Sequence, residues 1–248
     1  MHRVELHFHL LPAVDDGPVD MASSVELARM TVEDGTRLVT CTPHVRDTEL
    51  REIPWRVDEL RAALREARVP LEVRTGAELA FDDVEDLDDD ELESIAQGPP
   101  GSRWLLYEAP LQPENVDAFL YAAEELRDRG FGLLIGHPER CPDIEPHGEE
   151  VARLLASGDV LQVNATSLIG RHGPATRDRA IEYIRSGLAR VIASDAHRPR
   201  RGPSLNAALA VLADAGVSPA AAERLVSQNP RTLLECGLPA ALATASIT

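Results

Sequence analysis

The stretch RVELHFHLLPAVDDGPVDMASSVELARMTVEDGTRLVTCTPH, residues 3–44, decides the fold, because it contains one complete strand–helix–strand unit. Residues 3–8 and 37–41 are short apolar-rich runs that predict buried strands. Residues 21–33 carry apolar side chains at helical spacing and stop just before Gly35, an expected signal for a helix C-terminus. Two buried strands with a helix between them predict a parallel pair.

The same alternation continues along the rest of the chain. The remaining strand candidates are residues 71–75, 103–107, 132–135, 160–163 and 190–193. The remaining helix candidates are residues 56–67, 115–129, 149–156, 176–186 and 204–215. Regular alternation over 248 residues favours a closed or nearly closed α/β barrel, and a doubly wound open sheet is the alternative.

Two segments lie outside this pattern. The strongly acidic run FDDVEDLDDDELE, residues 81–93, is interpreted as a solvated helix face or loop. The last residues, 239–248, are predicted to be a weakly ordered tail. No linker interrupts the alternation, so residues 1–248 are predicted to form a single domain.

Composition limits the partners and the compartment. The net charge of −17 disfavours nucleic acid and anionic membranes as partners. No apolar run approaches the roughly 20 residues of a membrane span, and the His-rich start is unlike a signal peptide. Cys41, Cys141 and Cys236 are far apart and odd in number, which favours a reducing compartment. A cytoplasmic protein is therefore expected.

Imidazoles and carboxylates occur at the end of nearly every predicted strand. Active sites of parallel α/β folds form at the carboxyl ends of the strands. His7 and His9 are two residues apart at the first such end, so strand alternation points both to one side. The other candidates at strand ends or in the following loops are Asp16, His44, Glu78, Glu108, His137, Asp195 and His197.

Each of these residues alone has an ordinary structural explanation, but their combination does not. Many carboxylates and imidazoles buried together would repel one another or remain unpaired unless cations were present. Nitrogen and oxygen ligands without a thiolate suit Mn, Fe or Zn better than Ca or Mg. A metal site is therefore predicted.

Other phosphatase and hydrolase chemistries lack their motifs. A cysteine phosphatase needs Cys-x5-Arg, whereas Cys41 is followed by Arg46, one position too early. Neither a GxxxxGK[ST] phosphate loop nor a GxSxG nucleophile elbow is present.

The ordered motifs HxH, TPH, GxE, HPER and SDAH resemble the polymerase-and-histidinol-phosphatase (PHP) superfamily. Within it, HFHLLPAVDDGP is similar to the HxHxLPGxDDG opening of bacterial manganese-dependent protein-tyrosine phosphatases from capsule and exopolysaccharide operons. The likeness extends from Glu5 to about His197. Three positions depart from the usual pattern: Glu5 for Asp, Phe8 for Cys and Ala13 for Gly.

This resemblance implies a distorted (β/α)7 TIM-like barrel with three divalent metals, Mn foremost and Fe or Zn as alternatives. It implies that the first metal is held by His7, His9, Glu78 and Asp195. It implies that the second is held by Glu78, Glu108 and His137, and the third by Asp16, His44 and His197. Arg140 matches the phosphate-binding arginine of the family. A metal-bridging hydroxide would attack phosphorus.

The resemblance favours a phosphatase that acts on a phosphotyrosyl protein, namely a bacterial tyrosine kinase of exopolysaccharide synthesis or its export partner. The alternatives are a small-molecule phosphatase acting on a phosphorylated metabolite such as histidinol phosphate, a PHP-type nuclease, and a non-catalytic binding domain. Arg198, Arg200 and Arg201 follow the last strand directly, where they either attract an anion or belong to a solvated loop. The chain predicts no particular oligomeric state.

Overall fold

In the computed structural model, which describes residues 2–238, eight strands alternate with ten α-helices. The strands are β1 (Arg3–Phe8), β2 (Thr36–Cys41), β3 (Glu72–Thr75), β4 (Glu78–Leu79), β5 (Trp104–Glu108), β6 (Gly132–Gly136), β7 (Val160–Asn164) and β8 (Ala189–Ala193). The helices are α1 (Met21–Glu33), α2 (Ile53–Glu66), α3 (Asp89–Ile95), α4 (Val116–Asp128), α5 (Glu149–Ala156), α6 (Ala165–Leu168), α7 (Pro174–Arg185), α8 (Leu205–Asp214), α9 (Pro219–Val226) and α10 (Gln228–Cys236). The predicted tail, residues 239–248, lies outside the described residues.

All strand pairs are parallel, in the orders β1-β2-β3 and β4-β5-β6-β7-β8. Single parallel bridges join the two groups, from His44 to Glu78 on one side and from Phe8 to Ala196 on the other. The predicted α/β barrel is thereby confirmed. It is distorted, because continuous strand pairing is interrupted at these two places, which we call seams.

The first seam lies directly after the third predicted strand, residues 71–75. β3 and β4 are two halves of one strand position, separated by Gly76 and Ala77. A Cβ atom at Gly76 would lie 2.6 Å from Cγ2 of Thr40, so the chain crosses β2 too closely for a side chain. Counting these halves as one leaves the seven strand positions that the sequence predicts.

The end of the barrel opposite the strand carboxyl ends is sealed by α10. Leu233 and Leu234 of this helix belong to a buried apolar cluster with Trp104 and Val160, the first residues of β5 and β7. The indole Nε1 of Trp104 donates to the carbonyl of Leu233 at 2.9 Å. Polar groups therefore collect at the open end, and the closed end is apolar.

The predicted helices are all present, and α1 and α5 have the predicted bounds. α2 begins three residues early because Pro54 is tolerated in the first helical turn. Three helices were not predicted, namely α6, α9 and α10, whereas α3 falls largely in the acidic run that was interpreted as a helix face or loop. α3 begins inside the acidic run with a capping box between Asp88 and Glu91. Most of that run is exposed, as predicted.

Among residues 2–238, no helix is both long enough and apolar enough to cross a bilayer.

Candidate metal centre

Glu78 lies at the centre of the site, surrounded by imidazoles from three other strand ends. Its Oε1 is 3.1 Å from Nε2 of His7 and 3.3 Å from Nε2 of His137. Its Oε2 is 3.2 Å from Nε2 of His9 and 3.2 Å from Nδ1 of His44. A buried carboxylate that touches four imidazoles is well placed to bridge cations.

A second group of side chains flanks His9. The rings of His9 and His197 stack with their centroids 3.8 Å apart. Nε2 of His197 lies 3.0 Å from Oδ1 of Asp16, and Nε2 of His44 lies 3.7 Å from the same oxygen. Ligand atoms of His9, Asp16, His44 and His197 all fall within 4.8 Å of one another, which is close enough to surround one ion.

The remaining predicted ligands complete the other side of the site. Oδ1 of Asp195 is 3.4 Å from Nε2 of His7, and Oε1 of Glu108 is 3.6 Å from Nε2 of His137. Three further groups satisfy the same 4.8 Å limit: His7, His9 and Asp195; His7, Glu78 and His137; and His44, Glu78 and Glu108. All nine predicted ligands therefore meet in one place, although His7, His9, His44 and Glu78 belong to more than one group.

Several buried ligand atoms have no hydrogen-bond partner, which is consistent with a site that binds metal ions. Nε2 of His7, Nε2 of His9 and Oε2 of Glu78 are all buried and have no hydrogen-bond partner. Burying an unsatisfied polar atom costs about 1–3 kcal/mol. Divalent cations bound in this cluster would satisfy these atoms, since each is a metal-ligating atom.

The two first histidines are strongly basic in the absence of a cation. Burial alone would lower the pKa of His7, but the carboxylates of Glu78 and Asp195 outweigh it and raise the pKa to about 9. Burial likewise opposes protonation of His9, yet the hydrogen bond with Asp15 and the nearby carboxylate of Glu78 raise its pKa to about 10. Protons thus occupy the positions at which cations would bind, and metal binding must displace them.

The pKa values of the two neighbouring carboxylates, Glu78 and Glu108, are shifted in opposite directions. Burial would raise the pKa of Glu78, but the charge of His7 and the surrounding imidazoles hold it well below its ordinary value. Burial and then the charge of Glu78 raise the pKa of Glu108 to about 8. A cation between Glu78 and Glu108 would allow both carboxylates to ionise.

Two of the predicted ligands have strained backbones. His137 has φ of 38° and Asp195 has φ of 51°, in the left-handed region that non-glycine residues rarely adopt. Each such residue costs of order 1–3 kcal/mol, and such strain clusters at functional sites.

Three residues that the sequence interpretation left without a role hold the ligands in place. The Nδ1 atom of His7 lies 3.0 Å from Oε1 of Gln162. Nδ2 of Asn164 donates to Oδ2 of Asp195 at 2.8 Å, and its own oxygen accepts from Gln162 at 2.8 Å. Gln162 and Asn164 are two residues apart in β7, so their alternation was a usable signal.

Asp15 is the third such residue. Its Oδ2 is 2.6 Å from Nδ1 of His9 and accepts from the backbone N–H of His44 at 3.2 Å. Its Oδ1 accepts from the backbone N–H of Gly17 at 2.8 Å. The carboxylate therefore orients the His9 ring and joins the ends of β1 and β2.

The arginines after β8 have different surroundings. Nε of Arg198 donates to the carbonyl oxygens of Asp16 and Gly17 at 2.8 and 3.0 Å. Nη1 of Arg201 lies 3.2 Å from Oδ2 of Asp16. Arg200 is exposed. Two of the three guanidiniums thus hold the loop that carries Asp16 at the rim of the site.

Arg140 ends the turn that follows β6. Its Nη1 is 3.8 Å from Oδ2 of Asp195, and its side chain is 21% exposed. Its neighbour Glu139 is not a surface partner for it, because Glu139 is buried and accepts from the backbone N–H of Asn164 at 2.9 Å. A partly exposed guanidinium beside the carboxylates can contact an anion at the open end of the barrel.

A parallel α/β barrel with a buried histidine–carboxylate cluster at its strand carboxyl ends defines the class of metal-dependent barrel hydrolases. The chain belongs to the CpsB/CapC family of capsular polysaccharide synthesis, whose sequence profile matches residues 3–235. The resemblance inferred from the motifs is thereby confirmed.

Named relatives agree with this family. The chain is 31% identical over 202 residues to the tyrosine-protein phosphatase YwqE of Bacillus subtilis, covering 78% of this chain and 77% of the relative. It is 25% identical over 243 residues to the tyrosine-protein phosphatase CpsB of Streptococcus pneumoniae, covering 93% and 98%.

Solved structures agree on the fold. A structure from a study of YwqE and CpsB, described as unique metal-dependent tyrosine phosphatases, superposes with a TM-score of 0.78 at 28% identity over 93% of each chain. The phosphotriesterase homology protein of Escherichia coli superposes with a TM-score of 0.63 at 14% identity, covering 92% of this chain and 97% of that chain, a likeness of fold alone.

Proposed function

We propose that this protein is a metal-dependent tyrosine phosphatase that hydrolyses phosphotyrosyl side chains, with Mn as its metal and three ions per site. The observation that carries the proposal is the convergence of all nine candidate ligands in one cluster of overlapping groups, with Arg140 beside Asp195. The full ligand set also argues against a non-catalytic binding domain.

The chain's own residues supply binding and orientation. Closely spaced divalent cations, when bound, activate water and neutralise phosphoryl oxygens. Arg140 would donate to the non-bridging oxygens of the phosphate, since a guanidinium presents a fork of N–H groups. Gln162 and Asp15 fix the rings of His7 and His9, so the ligand atoms are oriented before a cation arrives.

A groove beside the site favours an aryl phosphate over a small alkyl phosphate. A cavity of about 240 Å³ has Glu108 in its lining together with the apolar Phe81, Pro110 and Leu111. The rest of its lining includes the polar residues Arg46, Asp82, Gln112 and Asn115. Leu111 is 39% exposed, so part of its side chain is accessible to a ligand in the groove. With phosphate at the metal centre, the ring of a phosphotyrosine would extend into this groove.

The proposed physiological substrate is a tyrosine kinase of exopolysaccharide synthesis. Support comes from the family description, capsular polysaccharide synthesis, and from relatives named tyrosine-protein phosphatases. The proposed compartment is the cytoplasm, where reducing conditions keep thiols such as Cys41 and Cys141 free.

A substrate panel tests the proposal. Mn-loaded protein is assayed on a phosphotyrosyl peptide, histidinol phosphate and single-stranded DNA, beside a His7→Ala/His9→Ala variant. The phosphotyrosyl peptide is expected to have the highest kcat/KM, and the variant is expected to lose at least about 100-fold in activity. Preferential cleavage of histidinol phosphate would support the metabolite alternative, and preferential cleavage of DNA the nuclease alternative. Equal activity of the variant would contradict a role for these ligands.

A further inference from the structure

A cavity of about 520 Å³ opens at the amino end of β8, away from the metal centre. It is bounded by the last turn of α7, the first residues of β8, and α9 with the turn that precedes it. Asp195 and His197 follow the opposite end of β8. The length of this strand, roughly 16 Å at the usual rise per residue, therefore separates the two sites.

The charge of this cavity is opposite to that of the chain. Arg185, Arg190 and Arg224 line it and no carboxylate does, although the whole chain has a net charge of −17. Within the described part of the chain, Arg185 and Arg224 form no ion pair within 4.0 Å. Glu182, one turn before Arg185, is hydrogen-bonded to Ser186. A bound anion would interact favourably with the guanidinium groups of Arg185 and Arg224.

The inner wall of the cavity is apolar. Ile184, Ala189 and Leu225 line it and are almost fully buried, and Val217 also belongs to the lining. The volume is within the range of about 300–1,000 Å³ that is typical of small-molecule sites. Cationic groups above an apolar wall are complementary to a ligand that carries both an anionic group and an apolar body.

We propose that this cavity binds a small organic anion with an apolar ring or short hydrocarbon part. Arg185 and Arg224 contact its phosphate, sulfonate or carboxylate group, and the apolar part covers Ile184 and Leu225. The first turn of α9, which also lines the cavity, adds the positive end of a helix dipole. This site is separate from the phosphatase site and does not depend on the proposed activity.

Two fluorescent probes that differ by one charged group test the proposal on the full-length, Mn-loaded protein. The probes are 1-anilinonaphthalene-8-sulfonate and N-phenyl-1-naphthylamine, which lacks the sulfonate. We expect saturable binding of the sulfonate at least about tenfold tighter than that of the uncharged probe. In an Arg185→Gln/Arg224→Gln variant the difference is expected to disappear.

A matched control, Arg51→Gln/Arg177→Gln, removes the same charge from exposed residues outside the cavity. It should bind both probes as the parent does. An Ala220→Trp variant, which places a bulky side chain in the cavity, should weaken binding of both probes. Phosphatase activity of every variant is measured as a check on folding. Equal affinity for the two probes, or an equal loss in the control and cavity variants, would overturn the proposal.

Discussion

The ligands of the candidate site are positioned by side chains that do not belong to the candidate ligand groups themselves. Asp15 illustrates this, since its two oxygens contact the ring of His9 and the backbone of Gly17 and His44. The sequence indicates the ligands because imidazole at successive strand ends is unusual. It does not indicate Asp15 equally well, because an Asp in a loop is commonly found in a local turn.

Replacing Asp15 by Asn should weaken metal binding by roughly 10–100-fold, because the amide loses the charge that holds His9. Competition with a chelator measures the affinity, and circular dichroism checks the fold. Asp20→Asn is the matched control, because Asp20 is an exposed helix cap whose role Asn can take over. Unchanged metal affinity in the Asp15 variant would show that this contact is unimportant.

The backbone conformation at position 13 gives a physical reason for the Gly that the family motif usually has there. The motif places Gly at this position, and Ala13 adopts φ of 54°, where a Cβ atom is strained. An Ala13→Gly substitution should therefore raise the free energy of unfolding by about 0.5–1 kcal/mol, less the entropy that Gly adds to the unfolded chain. Urea denaturation measures this difference. A loss of stability would mean that the strain is already relieved by the surrounding loop.

At the scale of elements, the length of the apolar pattern determines which strands and helices can be predicted from the sequence. Strands and long helices are readable because their apolar spacing extends over many residues, as in α1 and α5. The interruption between β3 and β4 cannot be predicted from the sequence, because it follows from the close approach of Gly76 to Thr40 in the neighbouring strand β2. α6 has four residues, too few for a periodic pattern. The groove walls at Phe81 and Leu111 come from two separate loops and meet only in the fold.

The groove predicts selectivity for aromatic substrates. A Leu111→Ser substitution should raise KM for a phosphotyrosyl peptide by roughly 3–10-fold, because part of an apolar side chain no longer covers the ring. Values of kcat, and all kinetics with β-glycerophosphate, should stay unchanged. Val19→Ser is the control, because Val19 is an exposed apolar residue outside the groove. Equal effects on both substrates would refute a role for the groove in ring binding.

At the scale of the whole molecule, the barrel separates its polar and apolar ends. α10 seals one end with Leu233 and Leu234, whereas histidines and carboxylates collect at the other. The sequence predicts this division because every ligand candidate follows a strand. It does not predict how the ligands divide among ions, since Glu78 and His9 each contact several neighbours. It also does not predict the arginine-lined cavity, whose walls come from α7, β8 and α9.

The histidine–carboxylate cluster is proposed to bind the metals that make the protein a phosphatase. The most direct measurement is phosphate release from a phosphotyrosyl peptide by protein whose metals have been removed with a chelator, followed by stepwise addition of Mn. We expect activity to fall to background on metal removal and to return in proportion to bound metal. Full activity in the metal-free protein would contradict it.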